Sequence, residues 1–190
     1  MAFFDNQDVQ SVLAGVPVHC GEQGFHTWLA SIKDASSLFG LVAIGGSRGA
    51  DRTAIQRVFR QAGLMVAPII HPTAYVSKTA SLGEGTQILA HAVVAADAHL
   101  GASCIVNHKA SVDHECSIGD GVHIAPGATV CGCVSIADNV FVGAGAVILP
   151  RIKIGAGAVI GAGAVVTKNV SANATIVGNP GMSILKTVRR

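Results

Sequence analysis

The fold is decided between Val76 and Ser171, where the chain reads VSKTAS, LGEGTQ, ILAHAV, VAADAH, LGASCI, VNHKAS, VDHECS, IGDGVH, IAPGAT, VCGCVS, IADNVF, VGAGAV, ILPRIK, IGAGAV, IGAGAV and VTKNVS. These are 16 consecutive units of six residues with no insertion. The first position is Val, Ile or Leu in every unit, the fifth is Ala, Val, Cys, Thr or Ile, and glycine recurs at the second and fourth. A helix repeats about every 3.6 residues and a half-buried strand about every 2, so neither holds a six-residue register over this length. A β-solenoid does. Each unit supplies one flat face and one turn of a triangular coil, three units (18 residues) close a rung, and 16 units make about five rungs. The branched first-position side chains are expected to fill the interior, the small fifth-position residues its narrow part, and the glycines the turns that need φ > 0.

Upstream the pattern changes. Leu38 to Gly46, LFGLVAIGG, reads as a buried strand, and Arg48 to Ala62 as a helix with Ala54, Ile55, Val58 and Phe59 on its apolar side. Leu64 to Ile70, LMVAPII, reads as a second strand. Strand, helix and strand in this order imply a small parallel α/β unit over residues 1–70, followed by the coil over 71–180. The turn Gly45-Gly46-Ser47-Arg48-Gly49 enters the helix, and free amides there can hold a phosphate, although such turns also occur without a ligand. After the coil, Gly178-Asn179-Pro180-Gly181 breaks the register, and the tail 181–190 is expected to form a terminal helix or arm.

Half of the 190 residues are apolar, enough for a substantial core. The 13 basic and 11 acidic residues nearly cancel and include no basic run, which argues against a nucleic-acid partner. No apolar stretch approaches the roughly 20 residues of a membrane span, and MAFFDNQDVQ lacks the basic and apolar regions of a secretory signal. The reading is cytoplasmic. Five cysteines, an odd number in a chain that needs no staples, fit a reducing compartment. Cys131-x-Cys133 lacks a second pair at zinc-ribbon spacing and reads as ordinary small coil residues, so no metal is expected.

The chemistry-bearing side chains cluster within about one rung: Asn107 and His108, then Asp113, His114 and Glu115, then His123. Residues 18 apart stack on one side of the triangle, which puts Gly132 one rung from His114 and leaves the imidazole room for a ligand. An imidazole accepts a proton near neutrality, and an adjacent carboxylate orients it and raises its basicity. His114 with Glu115 or Asp113 is therefore a candidate general base. Cys116, at a fifth position, is expected to point into the coil and not to act as a nucleophile.

The segment NHKASVDHECSIGDGVHIAPGATVCG (107–132), with His71-Pro72 before it and VGNPG (177–181) after it, resembles the bacterial sugar acetyltransferases that modify UDP-linked 4-amino sugars or sialic acids. The similarity runs over roughly residues 38–185. It implies a mainly β fold, a left-handed parallel β-helix preceded by a small, Rossmann-like α/β unit. It also implies a homotrimer with sites between subunits, acetyl-CoA as cosubstrate, a small sugar acceptor and direct transfer without a covalent intermediate. His114 would be the base, Glu115 its tuning carboxylate, and His123, Gly132, Ala144 and Ala162 contacts to acetyl-CoA. Asn107, Asp5, Asn6 and Gly45 would face the substrate. Members of this family usually begin with a strand and a Gly-rich turn that grips the nucleotide. Phe3-Phe4-Asp5-Asn6 resembles only their second strand, which implies either that the sequence starts late or that nucleotide recognition is incomplete.

Other readings stay open at this stage. A γ-type carbonic anhydrase is also a trimeric coil, but it resembles this chain without matching its histidines. His108 to His114 is six residues and His114 to His123 nine, where that family has two ligands at a five-residue step. A non-catalytic solenoid and a serine acetyltransferase are the remaining alternatives, the latter lacking its expected N-terminal helical domain.

Overall fold

The computed structural model describes residues 1–7 and 9–184. An N-terminal unit comes first: strands β1 (Phe3–Asp5) and β2 (Val18–Cys20) pair in parallel, helix α1 (Gly21–Ala30) follows, and helix α2 (Gly49–Gln61) closes the unit. Its small core packs Phe25, Val42, Phe59, Leu64 and Val66 beneath Phe4 and Trp28. No helix among the described residues is long and apolar enough to cross a membrane.

From Ile69 onward the chain is a left-handed parallel β-helix of two-residue strands on three faces. The first face begins at Ile69–Ile70 and carries eight strands, the second begins at Tyr75–Val76 and carries six, and the third begins at Ser81–Leu82 and carries five. Through Val165–Val166 each strand of a rung pairs in parallel with the one 18 residues before it, as Thr129 with Ser111 and Phe141 with His123; the last step of the first face, Val159 to Thr175, is 16 residues. The interior is the stack that the hexapeptide pattern predicts: Ile88, Val94, Val106, Val112, Val130 and Val142 from first positions are fully buried, alternating with Ala92, Ala98, Ala110, Cys116 and Ala128 from fifth positions. Small residues interleave with branched ones because a triangular tube tapers toward its corners.

The turns depart from expectation in one respect. Positive φ occurs at the fourth position of nearly every unit, and glycine is not required there: His91, Asp97, Ser103, Lys109, Glu115, Cys133, Asn139 and Arg151 all lie between 56° and 63°. Rung-to-rung hydrogen bonds on both sides fix the backbone and offset the roughly 1 kcal/mol cost of a left-handed residue. The second-position glycines serve close approach instead. A Cβ on Gly83 would meet the backbone of Gly101.

Four further expectations are corrected. Leu38 to Gly46 is not a buried strand: it makes only an isolated parallel bridge, Phe39 to Met65, and Phe39 and Leu41 are exposed. With two ladder bonds to one short neighbour, it has too little pairing for a strand. Of the expected second strand, Ile69–Ile70 is the first strand of the coil and pairs with Gln87–Ile88. Helix α2 packs Ile55, Val58 and Phe59 on the small core as expected, but Ala54 is exposed, and Arg52 and Gln56 are buried as well, against the coil. In the tail, Met182–Ile184 forms a strand antiparallel to Thr175–Val177, and the rest of the expected helix or arm lies outside the described residues.

Burial in the coil has a chemical consequence. It pushes the Cys104 thiol up to about 12 and the Cys116 thiol up to about 11, from 9.0. Both fold as neutral groups, so alkylation of the native protein should mark the exposed Cys20 and spare Cys104 and Cys116. Because the folded values are raised, the stabilisation is complete below about pH 9 and is lost above it, at up to ~1.4 kcal/mol per pH unit for each thiol. Urea midpoints should therefore fall between about pH 9 and 10.5, and a flat profile there would contradict the burial of these thiols.

Candidate active site

The three corners of the coil carry different chemistry. The corner between the second and third faces holds His114. Its turn is capped by Asp113, whose Oδ1 accepts the His114 amide at 2.7 Å, so this carboxylate is occupied by backbone. Glu115 takes the left-handed conformation (φ 56°), which swings its side chain back beside its neighbour. Its Oε2 then lies 3.2 Å from His114 Nδ1. Of the two acids flanking His114, Glu115 is therefore the one that meets the ring. Hydrogen bonds from Cys133 and His114, then the charge on His114, hold the Glu115 carboxyl below its usual range. An ionised carboxylate at Nδ1 keeps the proton on that nitrogen and leaves Nε2 as the acceptor.

Gly132, one rung on, is the floor under the ring: a Cβ there would stand 2.5 Å from His114 Nε2. Gly132 has no positive φ to protect, so its smallness serves the imidazole. Gly132→Ala should leave the melting temperature unchanged and lower turnover by about 10²-fold, the cost of displacing a reacting group by about 1 Å. Unchanged turnover would show that the ring has other room.

Cys133 lies beside Gly132 and above Glu115, with Sγ 3.3 Å from Oε2. Sequence reasoning treated it as a filler. The 18-residue stacking that paired Gly132 with His114 also pairs Cys133 with Glu115, and that signal was available.

His123 is elsewhere. It belongs to the first face and is only 6% exposed. Nδ1 faces the Gly46 carbonyl at 3.2 Å and Nε2 the Asn107 amide nitrogen at 3.1 Å. With Asn107 Oδ1 accepting the His108 amide, the network assigns the proton to Nδ1. Burial lowers the His123 pKa, so the ring is neutral. Gly45 adjoins it: a Cβ on Gly45 would lie 3.8 Å from His123 Cε1.

The sequence cluster thus divides into two groups on opposite margins of the second face. His114, Glu115 and Gly132 are on one margin. Asn107 and His108 lie at the corner between the first and second faces, with His123 beside it. Ala144 and Ala162 continue that corner, stacked by bonds from Gly127 to His108, Gly145 to Pro126 and Gly163 to Ala144. Asp5 and Asn6 are apart from both, at the end of β1: Asp5 accepts the Gln7 amide, and Asn6 lies beside Gly21 at the start of α1.

The third corner carries the N-terminal unit. Arg52 is fully buried and donates to the carbonyls of Ser103 (3.0 Å), Ile44 (2.9 Å) and Gly121 (2.7 Å). Gln56 bonds Glu84 and Ser103, and Gln87 donates to Val42. Gly49 packs so closely on Gly121 that a side chain would collide with its carbonyl. The glycine turn before α2 is thereby pressed onto the coil, with Gly46 bonded to His123.

Residues 133–168 match the bacterial transferase hexapeptide family (six repeats). Among curated proteins no sequence matches. Among solved structures, the acetyltransferase domain of PglB from Neisseria gonorrhoeae, in complex with acetyl coenzyme A, is 32% identical with a TM-score of 0.85, over 96% of this chain and 85% of that one. PerB from Caulobacter crescentus, in complex with CoA and GDP-perosamine, is 30% identical with a TM-score of 0.82, over 91% and 81%. WeeI from Acinetobacter baumannii is 29% identical with a TM-score of 0.83, over 96% and 85%. With this identity sustained over nearly the whole chain, the protein belongs to the hexapeptide-repeat family of bacterial sugar acetyltransferases.

Proposed function

We propose that the chain moves the acetyl group of acetyl-CoA to the 4-amino group of a UDP-linked sugar, with His114 as general base, in sites shared between the subunits of a cytoplasmic homotrimer. The observation that carries the role of His114 is its ring, oriented by Glu115 and seated over Gly132. The acceptor amine attacks the thioester carbonyl, and Nε2 takes the proton that the nitrogen sheds. The collapsing intermediate breaks the C–S bond, and the imidazolium returns its proton to the leaving thiolate, giving amide and CoA. Among the described residues the Gly132 amide donates to no acceptor, so it is available for the oxyanion. The neighbours support the cosubstrate and the acceptor class: the PglB domain holds acetyl coenzyme A, and PerB holds CoA with GDP-perosamine.

The division between corners supports the trimer. A donor that touched both Gly132 and the Ala144–Ala162 column would have to cross the second face of one chain, or bridge the facing corners of two. That face carries Tyr75, Val93, Ser111, Thr129, Val147 and Val165, small or apolar side chains suited to packing around a three-fold axis. In a bridging arrangement His114 comes from one subunit and the Asn107–His123 pair from the next.

The test is CoA release with a panel of UDP- and GDP-linked amino sugars, sialic acid and serine. Turnover with a UDP-linked 4-amino sugar supports the acceptor, and turnover only with another member of the panel replaces it. Co-expressing His114→Ala with His123→Ala then tests the shared site. Random mixing leaves about a quarter of sites intact, so activity should return to roughly that fraction of wild type. No recovery in mixed trimers would place the whole site in one subunit.

A further inference from the structure

His114, Glu115 and Cys133 bring an imidazole nitrogen, a carboxylate oxygen and a sulfur within 4.8 Å of one another. Two edges of this triangle are direct contacts: His114 Nδ1 to Glu115 Oε2 at 3.2 Å, and Cys133 Sγ to the same oxygen at 3.3 Å. Zinc binds nitrogen and oxygen at about 2.0–2.2 Å and thiolate sulfur at about 2.3 Å, which for a tetrahedron places ligand atoms ~3.4–3.6 Å apart. Two of the three edges thus stand within a few tenths of an ångström of the spacing an ion would impose, and the third, within 4.8 Å, closes by side-chain rotation. The backbone beneath them is fixed by rung bonds, Glu115 to Ala96 and Cys133 to His114, both 2.9 Å. Both His114 and Glu115 are more than half exposed, so an ion has access and room to keep a water as fourth ligand. The other charges acting on the cluster, Asp113 and Arg151, are of opposite sign.

We propose that this cluster binds one thiophilic divalent cation, zinc being the natural probe, and that its occupancy switches off acetyl transfer. The site is not the Cys131-x-Cys133 pair considered from sequence, because its sulfur comes from Cys133 and its other ligands from the rung before. On binding, Cys133 releases its thiol proton to solvent, and the His114 ring, ligating through Nδ1, loses the proton there to solvent and takes one from solvent at Nε2. The ring then carries its one proton on Nε2, the atom that must accept the proton of the acceptor amine. Inhibition therefore follows from the tautomer, even where the ion leaves the cleft open. This second clause rests on His114 being the base; the binding clause does not.

Cobalt(II) separates the two. Titrated into the reduced protein, it should give a thiolate-to-cobalt charge-transfer band that saturates at one equivalent per chain and is displaced by zinc. The band should vanish in Cys133→Ala and in His114→Ala and persist in Cys20→Ser and Cys131→Ser. Zinc should lower the wild-type rate by about 10²-fold or more, the worth of a general base, reversibly with a chelator. In Cys133→Ala, the ratio of rates with and without zinc should stay near one. Absence of the band, its persistence in Cys133→Ala, or its loss in Cys20→Ser would overturn the site. A proper band with no effect of zinc on turnover would overturn the switch. If the protein binds cobalt through these ligands but transfers no acetyl group to any acceptor, the functional reading fails and the metal site stands.

Discussion

Replacing His114 with alanine should reduce acetyl transfer by about two to four orders of magnitude, the usual contribution of a positioned general base. The loss should fall on kcat, with KM for acetyl-CoA little changed, because in the proposed mechanism the ring serves the acceptor amine and not the body of the donor. Folding should be untouched, since the side chain is more than half exposed. Glu115→Gln isolates the carboxylate: it keeps the size and removes the charge that selects the tautomer at Nδ1, so it should lose less than the alanine variant at His114. Cys116 supplies the contrast. Fully buried and held protonated, it is not available to form an acyl-enzyme, and Cys116→Ala should retain turnover. Activity of His114→Ala within a few-fold of wild type would remove the histidine from the mechanism.

The second large effect is structural. Arg52→Met should cost on the order of 3–5 kcal/mol, because three carbonyls of the coil and the preceding loop lose their donor at once inside a closed interface. Lysine should rescue little: one ammonium cannot reproduce a planar fork aimed at three acceptors. The expected result in urea is an early transition reporting the single tryptophan, Trp28, followed by a coil transition close to that of wild type. The released linker between α2 and the coil should become a site of proteolytic cleavage. Since Gly46 also binds His123, the variant should weaken acetyl transfer as well. A single transition at the wild-type midpoint would mean that the docking of the N-terminal unit does not depend on this residue.

These two residues mark what could be read from the chain and what could not. His114 was legible because the six-residue register reports both which side chains point out and which residues lie one rung away; Gly132 came with it. The same arithmetic applied to Glu115 gives Cys133, a contact overlooked because cysteine was weighed as part of a sequence-local pair. Arg52 and Gln56 were illegible for another reason. A helix read by its apolar residues alone puts Ala54 inside, whereas the surface α2 meets is a column of coil carbonyls, and carbonyls select donors. Leu38 to Gly46 misled in the opposite direction: its composition is that of a strand, but a strand also needs neighbours, and it has one short one. The separation of His114 from His123 was hidden by sequence proximity. Nine residues along a coil with three corners carry the chain from one margin of a face to the other.

The left-handed residues at the corners have a wider meaning for such a molecule. Where eight different non-glycine side chains tolerate the same backbone state, the tube itself, and not the residue, dictates the geometry of each turn. Reactivity can then be assigned by address, as a rung number and a corner, and exchanged without redesigning the architecture. For this protein the address of the dyad is the second corner of the third rung. Equivalent vertices farther along the same corner are plots on which a new pair of functional groups would arrive already oriented.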